Sequence, residues 1–150
     1  MYVPKYFVLQ EFFPKDYLDQ VHSKMGERLW LLIDNRVLWT ADHLRERYGS
    51  VIANDWLWRT NRVTSKYANN YRGFRPSDCN IGAVFSQHKY GRALDCKFKH
   101  ANVEEVRQEI IYNDTFDFKY ITAIEVDVPW LHFDVRNHDK KKHGVKLIKP

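Results

Sequence analysis

The sequence predicts an α+β fold, with N-terminal helices packed on a small antiparallel sheet. Three observations predict it. Apolar residues recur at helical spacing in the first third of the chain, alternating segments gather towards its end, and one capped helical segment lies between them. The 150 residues suit a single domain spanning 1–150, and no linker or internal repeat divides them. A chain of that length buries well over half of its unfolded surface, so neither metal nor disulfide is needed merely to fold it.

Pro14 opens the first expected helix, with Tyr17, Leu18, Val21 and Met25 on one face. The apolar run 29–33 is too short for periodicity to assign. Asn35 is the expected cap of the next helix, whose stripe is Val37, Leu38, Ala41, Leu44 and Tyr48, and Gly49 ends it. A short strand at 51–53 leads into Trp56 and Trp58. Residues 59–86 read as a long polar loop punctuated by Asn69, Asn70, Gly73, Pro76 and Gly82, and loops of that length are often functional. Segment 92–98 reads as a strand. Asn102 and Glu105 then form a reciprocal capping pair for a helix that faces Val103, Val106 and Ile110 inward. Segments 120–127 and 130–136 both alternate and form a hairpin around Val128-Pro129. The run Lys140-Lys141-Lys142 reads as a solvated tail.

Hydrophobic residues at 44% and charged residues at 29% are ordinary for a globular protein. The 15% of aromatic residues implies a core built on large rings, with a ring-lined groove as the alternative. A net charge of +5 favours an anionic partner without choosing among them. Lys and Arg are scattered and no nucleic-acid motif appears, so a nucleic-acid partner is not expected. Cys79 and Cys96 form no CxxC pair, which excludes a cysteine zinc knuckle and leaves two free thiols as the expectation, or else one disulfide. The start MYVPKYFVLQEFF has no basic segment, long apolar run or cleavage site. No stretch approaches the ~18 apolar residues of a membrane span. The expectation is therefore a monomer made in the cytoplasm, without signal peptide or membrane insertion.

Strand parity exposes the chemistry. Leu131, Phe133 and Val135 share one face of their strand, and His132, Asp134 and Arg136 share the other. Trp130 lies on the His132 side, as a cleft wall or as core. Glu125 and Asp127 share a face of the preceding strand, within reach of His132. In Ser86-Gln87-His88-Lys89-Tyr90-Gly91-Arg92-Ala93-Leu94-Asp95, a loop His and a strand Asp seven positions apart can converge. Gly91 permits the tight turn between them, and Ala93 leaves room. Two His and one Asp form a donor set that catalytic zinc takes, with a fourth position left for water. The plainer alternative is a hydrogen-bonded His–Asp pair. His22, His43, His138 and His143 read as surface or structural residues, and His100 as a candidate for the cleft wall. Cys96 points away from Asp95, which argues against a Cys–His nucleophile.

The segment SQHKYGRALD resembles the SxHxxGxAxD signature of the M15-type zinc peptidases. That group has a Hedgehog-like fold and includes D-Ala-D-Ala carboxypeptidases and phage L-alanyl-D-glutamate endolysins. WLHFDV resembles the strand carrying their last ligand His, and RGFRP resembles their turn with an arginine near the site. Order and spacing match across roughly residues 70–136. The resemblance implies that His88, Asp95 and His132 hold Zn2+, that Arg75 contacts the substrate carbonyl or carboxylate with Arg72 as second candidate, and that Ser86 shapes the loop. It implies hydrolysis of a peptidoglycan stem-peptide bond, L-Ala–D-Glu first and D-Ala–D-Ala second. A zinc-containing phage structural or binding protein without activity is the third reading. The implied mechanism joins metal-activated water and carbonyl polarisation to a carboxylate base and an oxyanion-stabilising Arg75. One position departs from the family. Three residues before the last ligand His, where many members carry Glu or Asp, stands Pro129, so the base must come from elsewhere, with Glu125 and Asp127 as candidates and Glu125 preferred. Asp134 is expected to orient an imidazole or Arg136. A chain without signal peptide fits a lysin released by a partner, or a virion-associated protein, acting on the bacterial cell wall.

Overall fold

The computed structural model describes residues 1–57, 70–113 and 115–150; Trp58 and the expected loop positions up to Asn69 lie outside them. The short helix α1 (Leu9–Phe12) precedes α2 (Lys15–Met25), and Pro14 stands just before α2 at φ −63°, where the first turn has no use for the missing amide. Residues Gly26–Leu32, which periodicity left unassigned in part, form a 3₁₀ helix that buries Leu29 and Trp30. Next comes α3 (Asn35–Tyr48), ended by Gly49 at φ 77° as expected. Its cap is Asp34 rather than Asn35. Asp34 is the last residue with extended backbone, and its carboxylate accepts the Arg36 N–H at 3.0 Å. Asn35, already helical, accepts the Tyr2 N–H instead at 3.0 Å.

The strands are β1 (Val51–Ile52), β2 (Ala93–Phe98), β3 (Ala123–Glu125), β4 (Leu131–Asp134) and β5 (Lys146–Ile148), in the order β1-β2-β4-β3-β5. Between β2 and β3 runs α4 (Val103–Tyr112), whose cap Asn102 accepts the Glu104 and Glu105 N–H groups at 2.8 and 3.3 Å. The fold is α+β as expected, but the sheet is mixed, because β5 runs parallel to β3. The lysine run is likewise not a free tail. Asp139 accepts the Lys142 N–H at 3.1 Å and caps α5 (Lys140–His143), and Gly144 at φ 71° turns the chain into β5. Lys146 N–H then donates to Thr122 O, and Val126 N–H to Ile148 O, each at 2.9 Å. Three residues are too few to announce a strand by pattern; the open edge of β3 makes them one.

Leu94 and Cys96 of β2, Leu131 and Phe133 of β4, and Ile124 of β3 are all fully buried. They join Val37, Leu38, Ala41 and Leu44 of α3 and the rings of Phe12, Phe13 and Trp30 in one core. Phe12 meets Trp30 edge-on at 5.6 Å between ring centres. The aromatic excess is therefore mainly core. Both cysteines are free, and no helix among the described residues is long and apolar enough to cross a membrane.

Candidate metal centre

Register aligns the site. Asp95 of β2 pairs with His132 of β4, and His132 pairs with Glu125 of β3, so three polar residues form a row across the face opposite the core. His88 arrives from the 3₁₀ turn Gln87–Tyr90, which Gly91 closes at φ 64°. A Cβ on Gly91 would lie 1.9 Å from Leu32 O, so backbone and sterics together demand glycine there.

His88 Nε2 stands 3.3 Å from His132 Nδ1 and 3.3 Å from Asp95 Oδ1, and the last two are 2.6 Å apart. These buried donors can bind a metal ion. Their other atoms are all held from behind. His88 Nδ1 lies 2.7 Å from Gly73 O, an obligate acceptor, so Nδ1 carries the proton and Nε2 keeps its lone pair. His132 Nε2 lies 3.4 Å from Asp134 Oδ2, which leaves Nδ1 facing the centre. Asp134 is fully buried and gripped by Arg136 Nε at 2.8 and 3.0 Å. Asp95 turns its second oxygen to Arg75 Nη2 at 3.0 Å, and Arg75 Nε donates to Tyr71 O at 2.7 Å.

Charge follows geometry. Burial would raise the Asp95 carboxyl, but His88 and His132 outweigh it and hold the group well below the usual carboxylate range. Burial lowers His88, which favours the neutral, ligating form. Burial also works against a charged His132, yet the hydrogen bonds to Asp134 and Asp95 win and push it up to about 9. Asp134 is lowered too, since His132 and Arg136 outweigh its desolvation. Burial pushes the Cys96 thiol up, in keeping with an inert core residue.

The centre opens into a cavity of about 440 Å³ whose lining includes Arg75, Ser86, Glu125, Trp130 and Arg136, with Ile81 and Phe85 among its apolar walls. The Glu125 carboxylate makes no hydrogen bond or ion pair with the described residues. Ser86 shapes the turn through its carbonyl, which accepts the Lys89 N–H at 3.0 Å. Trp130 walls the cavity.

Three expected residues are elsewhere. Asp127 is exposed and does not line the cavity: its φ of 63° turns the chain just beyond β3, so strand alternation stops short of it. Arg72 lies outside the lining as well. It serves through its backbone, accepting the Asp95 N–H at 2.8 Å, while its guanidinium reaches towards Ala53 O at 3.4 Å. His100 is exposed and also outside the cavity. His43 bonds Trp39 O at 2.9 Å and His138 bonds Gly144 O at 3.0 Å, both structural.

Three contributors escaped the sequence reading. Gly73 supplies the carbonyl behind His88, and a Cβ there would meet Phe12 O at 2.3 Å; the glycine itself was the only signal. Buried Arg107 of α4 donates to the Val128 and Trp130 carbonyls at 2.9 Å each, bracing the turn that carries His132, yet in sequence it is one more helix charge. Ile148 reaches the cavity only because β5 pairs with β3.

Comparison of the chain with protein-family models, with curated proteins and with solved structures returns no match.

Proposed function

We propose that this chain is a zinc peptidase of the M15 type with a Hedgehog-like fold, which hydrolyses a stem-peptide bond of peptidoglycan. L-Ala–D-Glu is the first choice of bond and D-Ala–D-Ala the second. The observation that carries the reading is a buried His88–Asp95–His132 triangle, oriented from behind at every ligand, beside an unengaged Glu125. Zinc fits the donors. Tetrahedral coordination with bonds of ~2.0–2.1 Å sets neighbouring donor atoms ~3.3 Å apart. Two of the three edges measure 3.3 Å, and the 2.6 Å edge is a hydrogen bond that a cation would replace.

Bound there, zinc supplies a Lewis acid for a carbonyl oxygen and lowers the pKa of water. The chain's residues supply the rest. Glu125 takes the proton of the attacking water and returns it to the leaving amine. Arg75 keeps Asp95 aligned, and its Nη1, against Gly82, remains as a donor for a substrate oxygen. Trp130 and Phe85 limit water around the reacting bond. The setting is the bacterial cell wall, reached by a phage lysin or a virion-associated protein.

A second reading is favoured by Pro129, which occupies the family's usual base position: a protein that keeps zinc for binding and does not hydrolyse. Isolated peptidoglycan incubated with the protein, with and without chelator, separates the two. Chelator-sensitive release of new amine ends, read by mass spectrometry, is expected, and fragment masses name the bond. One tightly bound zinc without cleavage selects the second reading. No zinc and no cleavage overturns both. Glu125→Gln should lower turnover by ~100- to 10,000-fold with zinc retained.

A further inference from the structure

Beside the metal cavity lies a second one of about 270 Å³, lined by Arg36, Arg92, Thr122, Arg136, Asn137 and His138. Its lining holds three guanidinium groups and no carboxylate. Arg136 lines both cavities, so the two adjoin. The arginines come from separate places: the first turn of α3, the residue after Gly91, and a position two residues past the end of β4.

Two of the three are held for the role. Arg36 grips Asp34 through Nε at 3.0 Å and Nη2 at 2.7 Å. Arg136 grips Asp134 in the same forked manner through Nε and Nη2. Each pair spans two positions in sequence, and each leaves its Nη1 without a partner among the described residues. Arg92 approaches Asp34 only at 3.9 Å, and its side chain is 47% exposed. Three positive groups against two carboxylates leave one net positive charge, with fixed N–H donors directed by the pairs behind them. A purely structural ion-pair network would use its donors on its own acceptors; this one leaves several free around an open space.

We infer that this cavity is an anion site for a phosphate group. Phosphate matches the cluster better than carboxylate does, because it offers more oxygens to donors arriving from three directions. The site belongs to the face on which the metal centre opens. It stands whether or not that centre hydrolyses peptides.

The test uses the metal-free full chain, since phosphate would compete for zinc. Inorganic phosphate titrated into isotope-labelled protein should shift the guanidinium signals of Arg36, Arg92 and Arg136 saturably. Arg92→Gln should weaken that binding by about 10- to 100-fold, the range for losing a charged hydrogen bond, while zinc affinity stays unchanged. Glycerol phosphate and dimethyl phosphate separate a monoester source from a polymer diester, and binding of either supports the site. Acetate binding as tightly as phosphate would overturn the assignment to phosphate. Shifts that never saturate, or an R92Q chain that binds phosphate like the parent, would overturn the site itself.

Discussion

On one face of β2 and β4, Leu94, Cys96, Leu131 and Phe133 are fully buried among apolar side chains. On the other, Asp95 and Asp134 are nearly or wholly as buried, His132 is close behind, and each is met by polar groups. The same two strands thus bury opposite chemistries to similar depth. The apolar face gains roughly 1.5–3 kcal/mol for each large side chain removed from water, and that gain has no direction. The polar face gains little net stability, because desolvating charges costs about what their pairing returns. Its atoms are held in particular directions, which suits a ligand rather than a core.

Four substitutions or conditions break or sharpen that contrast. His88→Ala removes a donor from the polar face, and calorimetric titration should show zinc affinity falling by more than the ~100-fold limit of a change behind a ligand, with the fold intact by circular dichroism. Zinc binding as tight as in the parent would erase the distinction between the faces. Phe133→Ala should do the reverse. Urea unfolding should report a loss of ~3–5 kcal/mol, while the folded fraction still binds one zinc. Asp134→Asn leaves the ligands in place but loosens His132, and should weaken zinc binding by ~10- to 100-fold.

The smallest effect is that of pH on the metal-free protein. His132 is raised from its ordinary 6.5 to about 9. Its contribution to stability is full below 6.5 and lost as pH climbs through 9. His88, held below its ordinary 6.5, opposes that loss only near 6.5, where its unfolded imidazole still takes up a proton, and adds no slope as pH nears 9. Unfolding of the metal-free chain should therefore become easier from pH 6.5 to 9, and zinc, by displacing the His132 proton, should remove the trend. A flat profile without metal would mean that His132 is not flanked by Asp95 and Asp134 in solution.

Much of the centre was legible because its signals are local. The seven-residue step from His88 to Asp95 around Gly91, and the parity that sets His132 against Phe133, depend on turn sterics and the two-residue repeat of a strand. The roles of Arg75 and Arg72 were not separable that way. Both sit in one irregular segment, and only packing against β2 turns one guanidinium to Asp95 and the other to Ala53. Asp127 misled because alternation was extended one step past the end of β3.

By itself, the sequence determined the main helices and the strands from β1 to β4, the core stripe of α3 and the residue types of the centre, because periodicity, capping and turn formation act over a few neighbouring residues. The tertiary structure alone decided that β5 closes the edge of β3, that Gly73 and Arg107 brace the ligands from afar, and that Arg36, Arg92 and Arg136 meet around one cavity. Those groups lie tens of residues apart in the chain. Their meeting is fixed by the packing of whole elements, to which no local pattern is sensitive.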